Sequence, residues 1–442
     1  MDKSCGLVHA EIIAENVLRN LKQQSKILMK QLTLALIFLF SFSCASPQES
    51  KIDRVKIKED LNEILSDLSQ NYVYLQEKDV DLNCIREYYE KQIPNIKSEE
   101  EVVLFFEYLL DEFYDSHVHL NTNTNSSFRL SSPIYATFKN GKPIISNVWQ
   151  TQIKNSIQNI VEAEILKING IDFEVAIKEF PTQCNDKSSQ EVKEWILNKI
   201  LAGRYNKPRI LTLKLKNKKI TEFDLDKIKL KKEQELITVR KVNDIGIIRI
   251  NNSLGQDEIV NEFDKAIDSL LNTKGLIIDL RNTVNGGDSY EARGIMGRFI
   301  SEPKPYQMHQ FFEESYNNPG YNPKIERRWV EYVVPRANQY KNPVVILVGR
   351  WTGSMGEGMA IGFEGMERAE IVGSEMERLA GEMSGFSFKN QTFGYRLSTA
   401  KLFHVNGTPR EKYVPTYYVK QSTTEKDETL EKGIELINKN VE

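Results

Sequence analysis

The chain has 442 residues, 40% of them apolar and 27% charged, with a formal net charge of −3, four cysteines and five histidines. This is ordinary globular composition, which excludes collagen-like, fully disordered and polytopic membrane proteins. The length suggests about three domains. No basic excess points to nucleic acid, and four cysteines in so long a chain do not form a disulfide framework.

The one long apolar run, QLTLALIFLFSFS over residues 31–43, follows Lys26 and Lys30 and precedes Cys44-Ala45-Ser46. It is short of the roughly 20 residues that span a bilayer. A basic flank, an apolar stretch and small residues have the form of a signal peptide. Cys44 at the cleavage point resembles a bacterial lipoprotein signal, in which the cysteine becomes the lipidated first residue. Ser41 departs from the leucine more usual there. An uncleaved anchor and a plain secretory signal are the other readings. Met29-Lys30 makes a more normal signal start than Met1, with residues 1–28 then an upstream extension. The mature chain is expected in the cell envelope, outside the cytoplasm. Processing at Cys44 would leave Cys84 and Cys184 as its remaining thiols. They could pair if their geometry allows.

Residues 54–115 are helical in pattern. Leu61, Ile64, Leu65 and Leu68 form one apolar stripe. A second segment runs over 82–92. Ser98 and Glu101 form a capping box ahead of a third helix, VVLFFEYLLDEFYDSH. Residues 128–228 change character. Two apolar runs flank Asn140-Gly141, a strong hairpin signal, and AEILKINGIDF repeats the device at Asn169-Gly170. Ser188 and Glu191 cap a helix through Ala202, and ILTLKLKNKKITEFDL supplies two more strands. AEILKINGIDF resembles the middle of a PDZ domain, so this region is expected to be a PDZ-like α+β module.

From residue 235 strands and helices alternate. GLIIDLR and PVVILVG are continuous apolar strands, as burial on both faces requires. The region reads as an α/β layered core. The expected division is a signal and upstream segment over 1–43, a helical domain over 52–122, a PDZ-like module over 125–230 and the core over 235–442.

The stretch PVVILVGRWTGSMGEGMAIGF is the most informative. A buried strand ends at Gly349, and Ser354 sits where the next helix begins. A serine there has its oxygen held away from the backbone, beside free N–H groups and the positive end of a helix dipole. The plainer reading is a helix N-cap, the commoner fate of such a serine. A second Gly-rich turn, Asn285-Gly286-Gly287, follows GLIIDLR. Such a turn presents backbone N–H groups to a ligand, or is simply a flexible connection.

DLRNTVNGG, VILVGRWTGSMGEGMA, IVG and NGTPREKYVP, in that order, resemble the S41 serine peptidases, the tail-specific or C-terminal processing family. The resemblance spans residues 98–420. It implies a ClpP/crotonase-like α/β core and a PDZ-like module. One branch of the family uses a lysine 25 residues after the serine. Leu379 stands at that position here, and Glu377, Arg378 and Ala380 around it include no lysine. The other branch, like the tricorn core, uses an upstream histidine helped by a second serine and a glutamate. DEFYDSHVHL supplies Asp115, Ser116 and His117. The resemblance then makes His117 the general base for Ser354, Ser116 the helper and Glu411 of NGTPREKYVP the acceptor completing the relay. It assigns the oxyanion donors to Gly287 or Gly286 and to Met355, although Asn282-Thr283-Val284-Asn285 is longer and less Gly-rich than the family turn.

Other histidines are weaker candidates. His117 and His119 on a strand would share a face and could form a metal pair, but no further clustered ligand completes a site. His9 precedes the signal, His309 reads as part of a polar loop, and His404 reads as a surface residue. Arg281 reads as one half of a structural ion pair. The expected activity is that of an exported serine endopeptidase acting on peptides or unfolded protein. No metal or cofactor and no nucleic acid would be involved. A lipid anchor would hold it to the membrane, the PDZ-like module would bind or gate peptides, strand addition at its sheet edge being one route, and self-association is left open. An inactive peptide-binding lipoprotein and an acyl-CoA enzyme on the related crotonase core are the alternatives.

Overall fold

The structure, a computed structural model, describes residues 52–314 and 324–441. The apolar run at 31–43, Met29 and Cys44 lie outside the described residues. No helix among the described residues is long and apolar enough to cross a membrane.

The chain begins with helices α1 (Arg54–Asn71), α2 (Leu75–Lys78), α3 (Leu82–Gln92) and α4 (Glu99–Asp111). The apolar stripe of α1 is fully inside: Leu61, Ile64 and Leu68 have no exposed surface. Ser98 caps α4 by accepting the Glu101 N–H, while the Glu101 carboxylate reaches back to Lys97 N. The helix stops at Asp111, six residues short of His117, although the apolar pattern continues. Phe113 is still buried, but Tyr114 turns the chain at φ +38°. The two-residue strand β1 (His119–Leu120) follows.

Six strands and two helices come next: β2 (Ile134–Lys139), β3 (Lys142–Val148), β4 (Glu164–Ile168), β5 (Ile171–Asp172), α5 (Phe173–Lys178), α6 (Gln190–Ala202), β6 (Ile210–Lys214) and β7 (Ile220–Asp224). The sheet order is β2-β3-β4-β6-β7, with β5 on β4. Both Asn-Gly pairs make the hairpins, with φ of +52° and +74° at Asn140-Gly141 and +50° and +80° at Asn169-Gly170. The N-cap of α6 is Ser189 rather than Ser188, whose hydroxyl bonds Asp186 instead. The outer edge of β2 is already occupied. Asn198 of α6 accepts from Ala136 N and donates to Ala136 O, and Glu194 accepts from Phe138 N.

The last region holds β8 (Ile237–Val242), β9 (Ile245–Ile250), α7 (Ile259–Asp268), β10 (Gly275–Asp279), α8 (Ser289–Met296), β11 (Lys304–Glu314), β12 (Lys324–Val333), β13 (Val344–Val348), α9 (Met355–Gly365), β14 (Glu370–Gly373), β15 (Glu382–Ser387), β16 (Gly394–Phe403), β17 (Tyr417–Tyr418) and α10 (Glu428–Val441). Its main sheet runs β17-β14-β13-β10-β9-β8, parallel except at the β8 edge. Alternate residues face opposite layers. Ile278, Ile346 and Val348 pack under α7, α8 and α9, whereas Ile277, Val345 and Leu347 pack under Leu436 and Ile437 of α10. Every residue of β10 and β13 is buried, which explains their uninterrupted apolar sequences.

A second sheet, β1-β16-β11-β12 with β15 also on β16, joins the N-terminal helices to this core. The helices share one apolar core with Ala380, Phe388, Tyr395 and Leu397. The strand pairing of His119 with Arg396 carries the end of the helical segment toward the α/β layer.

Candidate active site

Strand β13 ends at Val348, and the chain turns through Gly349–Gly353 into α9. Ser354 sits at this junction with φ +48° and ψ −113°, a backbone state that costs a non-glycine residue about 1–3 kcal/mol. Its surroundings enforce that state. Gly353 N donates to Thr283 O at 3.3 Å, and Ser354 N donates to the Glu357 carboxylate at 3.0 Å. The next amide, Met355 N, opens the helix and has no acceptor among the described residues.

The turn after β10 lies directly against this serine. A Cβ on Gly286 would overlap Ser354 Cβ and come within 2.9 Å of its Oγ. Gly286 N is committed to Thr283 O at 3.0 Å, whereas Gly287 N has no acceptor among the described residues. Of the two glycines, only Gly287 therefore offers a free donor. The residues that lengthen this turn hold it in place. Asn282 accepts from Trp149 Nε1 and Thr151 Oγ1, and Asn285 N donates to Asn252 O. Trp149 stacks flat on Trp351 at 5.2 Å, so the β2–β7 module and the nucleophile turn are braced together. Arg281 pairs with Asp279 and Asp427 in a structural network. Despite full burial, Arg281 and Arg249 hold Asp279 well below the usual carboxylate range.

His117 lies in the turn between α4 and β1 and is 2% exposed. Its backbone N–H is held by Asp115 Oδ1 at 2.9 Å, while Asp115 Oδ2 accepts from Tyr72 at 2.8 Å. Asp115 thus fixes the loop rather than the ring. The ring Nδ1 donates to the carbonyl oxygen of Ala380 at 2.9 Å. That bond fixes the tautomer and leaves Nε2 as the basic nitrogen, buried and without a partner among the described residues. Burial, with Arg410 nearby, pushes the imidazole down to about 3.

One segment, residues 377–381, connects base and nucleophile. Glu377 lies against Gly353, so closely that a Cβ there would collide with its Oε2. Arg378 N and Leu379 N both donate to Glu357, at 2.8 and 3.1 Å. Ala380 O takes His117 Nδ1 and also the Ser398 hydroxyl, at 2.9 and 2.7 Å. Arg410 Nη2 donates to Leu379 O and Gly381 O, both at 3.0 Å. Leu379, which stands where a lysine would act in the other branch, contributes only its backbone to this frame.

The remaining assigned residues are less tightly gathered. Ser116 is exposed, and its hydroxyl bonds nothing among the described residues, although its carbonyl accepts from His119. Glu411 has a buried oxygen without a partner and is pushed up by burial. Neither makes a hydrogen bond to the His117 ring. Both line a cleft of about 600 Å³ together with Asp115, Tyr135, Arg350 and Glu377.

Two histidine readings are corrected. His309 is not in a polar loop. It lies buried on β11, bonded to Glu382 at 3.0 Å and stacked on Trp329 at 4.7 Å. Burial opposes its charge, but Glu331 and Glu382 together hold it above the ordinary value. His404 is 5% exposed rather than on the surface, stacked on Tyr413 and 3.3 Å from Glu364. Sequence reasoning missed Glu357, Ala380 and Arg410. The Ser-x-x-Glu spacing of a capping box was the available signal for Glu357.

Residues 244–419 match the family model of peptidase family S41, and residues 53–111 match that of the tricorn protease C1 domain. Residues 244–419 form a peptidase family S41 domain. It is a serine-type peptidase with the α/β fold of that family. No curated protein matches this S41 chain. Among solved structures, mature CPAF complexed with lactacystin is 14% identical with a TM-score of 0.57, covering 88% of this chain and 98% of the other. A putative peptidase from Parabacteroides merdae is 16% identical, with a TM-score of 0.52 and coverage of 88% and 97%. The photosystem II D1 C-terminal processing protease is 12% identical, with a TM-score of 0.51 and coverage of 87% and 97%. At these identities the structural matches speak to the fold. The tricorn C1 match covers the helices immediately ahead of His117.

Proposed function

We propose that this S41 peptidase is an exported, lipid-anchored endopeptidase that cleaves peptides or unfolded protein through an acyl-enzyme on Ser354. Ser354 Oγ attacks the scissile carbonyl carbon and passes its proton to His117 Nε2. Met355 N–H and Gly287 N–H donate to the oxyanion. The imidazolium returns the proton to the departing amine, and water then hydrolyses the ester by the same route in reverse. One observation carries the reading. A buried imidazole leaves Nε2 uncommitted and commits Nδ1 to the carbonyl of Ala380, which lies on the segment that abuts the strained Ser354 turn.

Ala380 O occupies the place behind the base that the relay reading gave to Ser116 and Glu411. In this proposal those two residues act from the cleft wall, through its charge and hydrogen bonding. The β2–β7 module, PDZ-like in this reading, lines the same cleft through Tyr135. Strand addition at the β2 edge would require Asn198 to be displaced.

Export is supported by the Cys84–Cys184 disulfide, which belongs to oxidising compartments. Anchoring at Cys44 rests on the sequence pattern and is tested by the mass of the mature N-terminal peptide. The catalytic proposal is tested with internally quenched peptides and an unfolded protein. Wild type should cleave both, and Ser354→Ala and His117→Ala should each lose at least about 1,000-fold in kcat. Undiminished cleavage by Ser354→Ala would sink the assignment.

A further inference from the structure

Glu357 has no exposed surface, yet its carboxylate makes no ion pair among the described residues. Instead it accepts three backbone N–H bonds from two separate segments. Oε2 takes Ser354 N at 3.0 Å and Leu379 N at 3.1 Å, and Oε1 takes Arg378 N at 2.8 Å. The residue after Leu379 is Ala380, whose carbonyl holds the ring of His117. A continuous path therefore runs from the nucleophile's own amide through one carboxylate to the carbonyl that orients the base. The first bond on this path also holds Ser354 at positive φ, a conformation a serine does not adopt unaided.

We propose that Glu357 is a positioning residue: its ionised carboxylate clamps the Ser354 turn to the 378–380 segment and so sets the approach of His117 to the serine. This deepens the peptidase reading and rests on it. A carboxylate is needed because all three partners are donors. A neutral acid would turn one oxygen into a donor facing N–H groups. The charged groups facing Glu357 are Arg410, from the turn after β16, and Glu377, from the segment after β14. Arg410 favours the ionised form, but burial pushes Glu357 up to about 7. Burial and the Glu357 charge push Glu377 up to about 8, so Glu357 ionises first of the two as the pH rises. Because Glu357 is raised, its ionised form is lost as pH falls through about 7. The clamp, and kcat with it, should follow.

The test compares wild type with Glu357→Gln. The variant should lose about 100-fold in kcat with KM within about 3-fold, because a misplacement of about 1 Å costs that much in rate. Wild-type kcat should rise with pH through about 7, and this limb should be absent from Glu357→Gln but present in Glu377→Gln. A purely structural role would lower the unfolding temperature and leave the limb in place. Retention of wild-type kcat and of the limb by Glu357→Gln overturns the proposal. If that variant does not fold, a flat wild-type kcat from about pH 6 to about pH 8 overturns it instead. Hydrogen exchange reads the clamp independently of turnover. The amides of Ser354, Arg378 and Leu379 should lose protection in Glu357→Gln, and unchanged protection refutes the clamp. Wild type that cleaves nothing while those amides lose protection would instead refute the peptidase reading.

Discussion

The imidazole of His117 is held by the main chain of Ala380, 2.9 Å from Nδ1 to the carbonyl oxygen. A carbonyl can only accept, so Nδ1 keeps its proton and Nε2 stays basic. Burial, with Arg410 nearby, depresses the ring to about 3, and the hydrogen bond to Ala380 only partly opposes this.

The first prediction concerns pH. His117 should stay unprotonated to well below neutrality, so protonation of the base should not limit kcat/KM until the pH nears 3. Stability moves the other way from most buried acids. The folded value lies below the unfolded 6.5, so the unfolded chain takes up a proton first as the pH falls. At pH 5 that difference costs about 2 kcal/mol. Replacing His117 with Asn should remove this part, and thermal unfolding at pH 7 and pH 5 would read it as a smaller acid-induced drop in Tm.

Gly286→Ala tests the contact between the two turns. The added methyl would overlap Ser354 Cβ, and Gly286 sits at φ +58°. Displacement of the serine should lower kcat by about 100-fold. The cost in stability should be about 1–3 kcal/mol, from strain at a positive φ. Peptide cleavage and chemical denaturation on one preparation would separate the two effects.

Arg410 is 2% exposed and bonds two carbonyls that flank Ala380. Arg410→Met should cost about 3 kcal/mol by leaving both acceptors without a partner. It also removes a positive charge that disfavours protonation of His117. The His117 pKa, followed by NMR, should therefore rise in the variant.

The disulfide closes a long loop, with Cys84 and Cys184 100 residues apart. Beside it the Glu112 carboxylate accepts the N–H groups of Gln183, Cys184 and Asn185. Together these tie the helices that lead to His117 to the β2–β7 module. Cys84→Ser with Cys184→Ser should cost about 4 kcal/mol. Reduction of wild type should lower Tm as far as the double substitution does, as calorimetry with and without a reductant would show.

The strands flanking the site were legible because burial on both faces leaves no room for polar residues, as in GLIID and VVILV. The Ser354 turn was legible because it lies between such a strand and a helix. The frame around it was not. Ala380 contributes a carbonyl, which every residue has. Glu357 and Arg410 are polar residues that reach full burial only through backbone partners far along the chain. His309 and His404 were misread for the same reason, since their acidic neighbours lie on other elements. The third helix ended early because one residue, Tyr114, turns the backbone while Phe113 keeps the apolar rhythm.

The central claim is that Ser354 is the nucleophile and His117 its base. A serine-directed fluorophosphonate, followed by intact mass and peptide mapping, addresses it directly. Wild type should gain one adduct, on Ser354. Ser354→Ala should gain none, and His117→Ala should react at least about 1,000-fold more slowly. An adduct on another residue, or equal labelling of wild type and Ser354→Ala, would contradict the account.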